Sequence, residues 1–213
     1  MAQEMGVEQD HRRYAPATLR NRDPILRVLE QVLPSSGRVL EIGSGTGEHA
    51  IYFAPRLPNW IWQPSEPDPE LRRSIQAWQK EFPAANLRPP IALDVRDPIW
   101  PVETPSLDPP ITAIVSINMI HISPWASCLG LMAGAGRILP PDGILYLYGP
   151  FRRQGEHTAP SNAQFDASLR AENPEWGVRD LEKVAEVADP RGLILQEVIP
   201  MPANNLSGVF RRK

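Results

Sequence analysis

A single cysteine, Cys128, in 213 residues excludes an internal disulfide and leaves no thiol pair from which to build a zinc site. Long apolar runs are missing too, since none approaches the ~18 residues that a membrane span needs. The first 24 residues are polar and charged, with Arg12, Arg13, Arg20 and Arg22 among them and no apolar stretch leading to a small-residue cleavage site. The expectation is a cytoplasmic protein with no membrane partner. Basic charge is scarce: 22 Lys and Arg against 25 Asp and Glu give a net charge of −3 and a pI near 5.8, which argues against nucleic acid as the main partner. The four histidines show no paired spacing on a helix, which argues against a metal site.

What is present is an ordinary globular composition, 42% hydrophobic and 22% charged, in a length that suits one domain over residues 1–213. The 25 prolines are scattered between periodic segments and read as loop punctuation. Residues 1–23 carry no clear period. Asp23 and Pro24 read as the cap and first position of a helix that carries Ile25, Val28, Leu29, Val32 and Leu33 on one face. Short β-branched runs near 38–42, 60–65, 88–93, 111–117, 143–148, 193–200 and 206–212 then alternate with helices near 47–56, 68–81, 124–138 and 177–189. That alternation predicts an α/β fold, a mostly parallel sheet covered by helices on both faces. The stretch Gly149–Trp176 reads as long and irregular, a lid or binding loop.

The segment Val39-Leu-Glu-Ile-Gly-Ser-Gly-Thr-Gly47 is a buried strand running into a glycine turn. Glycine there permits positive φ and lets backbone amides approach a ligand that a Cβ would hold off. The spacing is G-x-G-x-G with Glu48 where the dinucleotide fingerprint has a small residue. A pyrophosphate is disfavoured beside Glu41 and Glu48, whereas a cation is tolerated, and S-adenosylmethionine carries a sulfonium and an ammonium. Glu66 closes the second strand at about the ~20-residue distance at which a carboxylate meets ribose hydroxyls, with Asp68 as the fallback and helix capping as the rival role. Asp94 ends the third strand, where it suits an adenine amino group between Leu93 and Val95, or a plain turn. Glu41, Gly43, Ser44, Gly45, Gly47, Glu66, Asp94, Val95 and Asn118 form the expected cofactor set.

The glycine string followed by a second-strand acid resembles motifs I and II of class I S-adenosylmethionine-dependent methyltransferases. A closer resemblance, to the methyltransferase-like 26 family, long catalogued as a domain of unknown function, covers nearly the whole chain. It rests on Ala15-Pro-Ala, Arg20-Asn-Arg-Asp-Pro-Ile-Leu26, Trp62-Gln-Pro-Ser-Glu66, Asn118-Met-Ile-His-Ile-Ser-Pro-Trp125, Tyr148-Gly-Pro-Phe151, Ser161-Asn-Ala-Gln-Phe-Asp166, Trp176-Gly-Val-Arg-Asp180 and Met201-Pro-Ala-Asn-Asn205. The resemblance implies a three-layer αβα Rossmann-like sheet of seven strands with the last antiparallel, and S-adenosylmethionine as cofactor. It implies no settled substrate.

In such a fold ligands sit outside the carboxyl ends of the strands, so residues after the fourth and fifth strands should meet the transferable methyl group. His121 is the candidate general base, with a packing histidine beside Trp125 as the other reading. Asn118 either holds the nucleophile or cofactor through its amide, or forms an Asx turn. Tyr14, Arg20 and Asn21, from a segment expected to cover the cofactor, join Tyr148, Phe151, Asn162, Arg179 and Asn204 as candidate substrate-binding residues; Arg20 suits a carboxylate. The expected function is a methyltransferase for a small-molecule acceptor. A cofactor-binding module that acts through a partner is the alternative, and a nucleic-acid or protein methyltransferase ranks below both.

Overall fold

The computed structural model describes residues 10–104 and 107–213, so residues 1–9 of the expected N-terminal cover lie outside the described residues. The chain runs α1 (Pro16–Val32), β1 (Gly37–Ile42), α2 (Glu48–Phe53), β2 (Trp60–Ser65), α3 (Pro69–Glu81), β3 (Ile111–Ile117), α4 (Trp125–Ile138), β4 (Ile144–Gly149), β5 (Arg152–Arg153), β6 (Glu156–His157), α5 (Pro160–Glu172), α6 (Leu181–Ala188), β7 (Leu193–Met201) and β8 (Asn205–Arg212). The main sheet has the order β2-β1-β3-β4-β8-β7, and β5 and β6 form a separate small hairpin. The first four strands are parallel, and β8, the last, runs antiparallel to both neighbours.

Side chains alternate across the strands and sort into two cores. Leu40, Ile42, Leu145 and Leu147 pack with α4 and α6 through Cys128, Leu131, Leu181 and Val184. Val39, Val115, Tyr146 and Tyr148 pack on the opposite face with Ile25 and Leu29 of α1 and Phe53 of α2. Helix, sheet and helix thus make three layers. Register aligns the carboxyl ends: Ile42 pairs with Ser65 and with Ser116, and Ile117 pairs with Tyr148. Gly43, Glu66 and Asn118 therefore leave the sheet side by side, with Gly149 closing β4 beside them.

Three expectations are corrected. The third strand, expected near 88–93 as part of seven, is reduced to isolated parallel bridges, Trp62 with Leu87 and Ser65 with Ile91, leaving six strands in the main sheet. Pro89 and Pro90 have no N–H to donate, and Pro64 removes another donor from the facing edge of β2, so a continuous ladder cannot form. Helix α1 starts at Pro16 rather than at Pro24, which lies inside it. Its buried stripe runs from Leu29 and Ile25 back through Asn21 and Thr18, and those two polar residues hide the period. The expected irregular stretch 149–176 holds the β5–β6 hairpin and α5, whose buried face is Asn162, Asp166 and Leu169. A helix that buries polar side chains leaves little apolar period to read.

Candidate functional site

The loop from β1 to α2 carries positive φ at Gly43 (67°), Gly45 (55°) and Gly47 (94°). Gly45 is the informative one, since a Cβ there would meet nothing within 4 Å and would project into open space beside the loop. That space is a cavity of about 480 Å³ at the carboxyl ends of β1, β2 and β3, within the usual size of a small-molecule site. Gly43, Gly45 and Glu66 form one wall, Leu93, Asp94 and Val95 a second, and Met119, Ile122, Ser123 and Trp176 line the rest.

Glu66 sits where β2 leaves the sheet and is 6% exposed. Its carboxylate accepts from the Gly45 N–H at 2.9 Å and the Asp68 N–H at 3.2 Å. Burial raises its pKa, opposed by those two N–H groups. Each oxygen keeps a further lone pair for a ligand hydroxyl. Asp94 is engaged by Arg96, whose backbone N–H donates at 2.9 Å and whose Nη2 donates at 2.5 Å; that guanidinium holds the Asp94 carboxyl below its usual range. Glu66, Asp68 and Asp94 set against Arg96 leave the lining negative on balance. Such a lining fits a cationic, hydroxyl-bearing ligand better than a pyrophosphate.

Other expected cofactor residues are near the loop but turned away from the cavity. The Ser44 hydroxyl accepts from the Ser65 N–H at 3.1 Å and so latches the loop to β2. Gly47 lies on Ile75, whose side chain would be 2.8 Å from an added Cβ, making it a packing glycine. Glu41 accepts from Trp62 Nε1 at 2.9 Å, and burial pushes its pKa up to about 7. Glu48 accepts from the Ala15 N–H and the Thr46 hydroxyl, tying the N-terminal segment to the loop.

His121, the candidate general base, stands outside the cavity lining. It is fully buried, and its Nδ1 accepts from the Arg179 N–H at 3.1 Å. The ring proton therefore sits on Nε2, which has no hydrogen-bond partner among the described residues and packs against Gly149. Burial, reinforced by Arg179, lowers its pKa to about 3. The imidazole is neutral at pH 7, and its one lone pair is taken by the Arg179 N–H. Asn118, at φ 61°, donates its N–H to the Tyr148 carbonyl at 2.8 Å and stands outside the cavity lining.

Several candidate substrate residues are also engaged within the protein. Phe151 is fully buried and edge-on to His121 at 4.7 Å. Asn162 Nδ2 donates to the Asn204 carbonyl at 2.9 Å and to Thr158 Oγ1 at 3.0 Å, and Asn204 donates to Ser161 Oγ at 3.3 Å; these side chains tie α5 to the turn before β8. The Arg179 guanidinium donates to three carbonyls, of Ile120, Ser123 and Glu175, which leaves no fork for a carboxylate. Tyr14 lines a separate 630 Å³ groove with Glu48, Ile51, Tyr52, Trp78 and Phe82, none of which lines the cavity at the glycine loop. Asn21 is buried against the loop helix, its Oδ1 2.8 Å from His49 Nε2, and burial raises the pKa of Tyr148, with Asn21 and Arg20 acting against that rise. The residues missed from sequence include Ile122, Ser123, Ser127 and Leu71, small or apolar side chains on loops and helix starts with no spacing signal, and the charged Arg96 in the loop after Asp94.

No helix among the described residues is long and apolar enough to cross a membrane. Residues 12–212 match a family described as "Protein of unknown function (DUF938)". Among solved structures, the chain is similar to an O-methyltransferase family protein from Burkholderia thailandensis at 14% identity and a TM-score of 0.75, covering 92% of this chain and 57% of that one. It is also similar to an O-methyltransferase family 2 protein from Planctomyces limnophilus in complex with apigenin (19% identity, TM-score 0.73, 92% and 60% covered). Human N-acetylserotonin methyltransferase in complex with SAM matches at 13% identity and a TM-score of 0.72, with 92% and 52% covered. The chain thus spans between 52% and 60% of the length of these three structures. At such identities the likeness shows a shared α/β Rossmann-like fold.

Proposed function

We propose that the chain, which belongs to the DUF938 family, is an S-adenosylmethionine-dependent methyltransferase acting on a small-molecule acceptor in the cytoplasm. The observation that carries this reading is the cavity at the carboxyl ends of β1, β2 and β3, where an open Gly45 backbone, a ribose-height Glu66 and a negative lining meet. The fold shared with methyltransferases, one of them in complex with SAM, supports it. The motif strings set out above support placing the chain with the methyltransferase-like 26 proteins, and residues 1–213 are taken as one domain.

In this reading Glu66 accepts from the ribose hydroxyls, and Gly43 and Gly45 let the backbone approach the aminoacyl part. Leu93 and Val95 flank the adenine, with Asp94 at its amino edge. When bound, the cofactor supplies an activated methyl carbon on a sulfonium. The protein's share is then to orient the acceptor and exclude water. Asn118, Tyr148, Asn21 and Arg20, grouped at the ends of β3 and β4, are the residues proposed to face the acceptor. With His121 committed elsewhere, the nucleophile must arrive already able to attack, as an amine, a thiolate or an acidic hydroxyl does.

Calorimetry with S-adenosylmethionine, S-adenosylhomocysteine and NAD tests the cofactor. The wild type should bind the first two, and Glu66→Gln, which loses a charged hydrogen-bond acceptor, should bind about 10- to 100-fold more weakly. Binding of NAD with none of S-adenosylmethionine would overturn the proposal. Production of S-adenosylhomocysteine from fractionated metabolite pools then tests turnover and separates an enzyme from a cofactor-binding module.

A further inference from the structure

We propose that His121 is a positioning residue: it clamps the segment 175–179 onto the loop after β3 and so fixes Trp176 as a wall of the cofactor cavity. The proposal rests on the cofactor reading above. It concerns a segment between α5 and α6 that includes no helix or strand of its own and yet carries the Trp176 side chain into the cavity lining.

The segment is held by its backbone. Gly177 N–H donates to the His121 carbonyl at 2.8 Å, and Arg179 N–H donates to His121 Nδ1 at 3.1 Å. Between them, Val178 N–H donates to Asp166 Oδ1 at 2.7 Å. In extended chain, alternate N–H groups point to opposite sides. One histidine thus takes both donors on one side, with its carbonyl and its ring, and Asp166 takes the donor on the other. The Arg179 side chain adds bonds to the carbonyls of Ile120 at 2.9 Å and Ser123 at 2.7 Å. The loop that presents Met119, Ile122 and Ser123 to the cavity and the segment that presents Trp176 are therefore one body.

The surroundings of the imidazole are built for this use. Gly149 leaves room for the ring, since a Cβ there would lie 2.3 Å from Nε2, and Phe151 closes the socket edge-on. A neutral ring is required, because only then does Nδ1 accept. Gly177 is equally constrained: an added Cβ would lie 2.7 Å from Asp166 Oδ1, at a φ of 150°. A histidine that merely filled space would show no such pairing of its two acceptors with alternate donors of a cavity wall.

The test compares His121→Asn, which keeps an acceptor near the Nδ1 position, with His121→Leu, which keeps bulk and removes the acceptor. Two readouts are taken: affinity for S-adenosylhomocysteine by calorimetry, and amide hydrogen exchange at Gly177 and Arg179 in the ligand-free protein. We expect His121→Leu to weaken binding about tenfold or more and to speed exchange at Arg179, and His121→Asn to stay within about threefold of the wild type on both. Trp176→Ala should weaken binding to a similar degree, and the double variant with His121→Leu should be no weaker than the worse single one. Arg179→Met frees the same segment without touching the ring; it should act in the same direction, and it serves if His121→Leu does not fold. Wild-type binding by both His121→Leu and Arg179→Met, or an Asn variant no better than Leu, would overturn the proposal. If the wild type binds no S-adenosylhomocysteine, the cofactor reading fails, while exchange at Arg179 still reports on the clamp.

Discussion

Replacing Glu41 by glutamine isolates the cost of a carboxyl buried in the middle of the sheet. Glu41 is 2% exposed on β1 and accepts from Trp62 Nε1 at 2.9 Å. Burial raises its pKa from 4.5 to about 7; the Trp62 and Ser44 hydrogen bonds act against that rise and nearby Glu66 adds to it. Because the folded pKa is raised, the folded state holds the proton that the unfolded chain releases above 4.5. Glu41 thus contributes its stability below pH 4.5, and that contribution is lost as pH rises toward 7. At about 1.36 kcal/mol per pH unit the interval amounts to about 3 kcal/mol. Glutamine keeps an acceptor for Trp62 and, like the protonated carboxyl, carries a donor, but it does not ionise. Glu41→Gln should therefore match the wild type within about 1 kcal/mol at pH 5 and exceed it by up to about 3 kcal/mol at pH 8.5. His49 and His121, lowered by burial to about 4 and about 3, act in the opposite direction. Their unfolded forms take up protons below about 6.5, so their contribution grows as pH rises to that point. The wild-type profile is a sum of both trends, and only the difference between the two proteins reports Glu41. Urea unfolding followed by tryptophan fluorescence from pH 5 to 8.5 measures it. A difference that stays flat, or that favours the wild type at high pH, would refute the reasoning.

Gly149→Ala should destabilise the fold by about 1–3 kcal/mol, because the new methyl would fall 2.3 Å from His121 Nε2; an unchanged urea midpoint would show that the ring yields freely. Cys128 is fully buried, and burial pushes its thiol up to about 12, so a disulfide-exchange reagent should modify it only after denaturant is added. Asp166→Asn keeps an acceptor for Val178 but removes the carboxylate that Arg152 meets at 2.6 Å and Arg170 at 3.1 Å. Since both guanidinium groups are partly exposed, the loss should be about 1–2 kcal/mol, below the cost of breaking a fully buried pair. Added salt should narrow the gap in unfolding midpoints between wild type and variant.

The alternation of β-branched runs and helices already places β1, β2, β3, β4, β7 and β8 within a residue or so, and the four parallel strands, buried on both faces, read as unbroken apolar runs. The glycine turn and Glu66 were legible for a related reason: backbone approach and a strand-end carboxylate leave marks in residue type and spacing. The start of α1, the face of α5 and the loss of a third strand were not. Asn21, Asn162 and Asp166 are buried through hydrogen bonds and ion pairs, and an amphipathic pattern records apolar burial only.

Residue type alone also left open the contacts of His121, Phe151, Asn162 and Arg179, each of which has the chemistry of a site residue and is engaged by other parts of the chain. By itself the sequence determined an α/β chain with a glycine loop suited to a cationic nucleotide-like ligand, since those properties depend on neighbours within a few residues. Tertiary structure decided which polar groups remain free to meet a ligand. That depends on partners remote in the chain, such as Arg179 for His121 and Trp62 for Glu41, and a hydrogen bond between distant residues removes a lone pair without leaving any trace in local spacing.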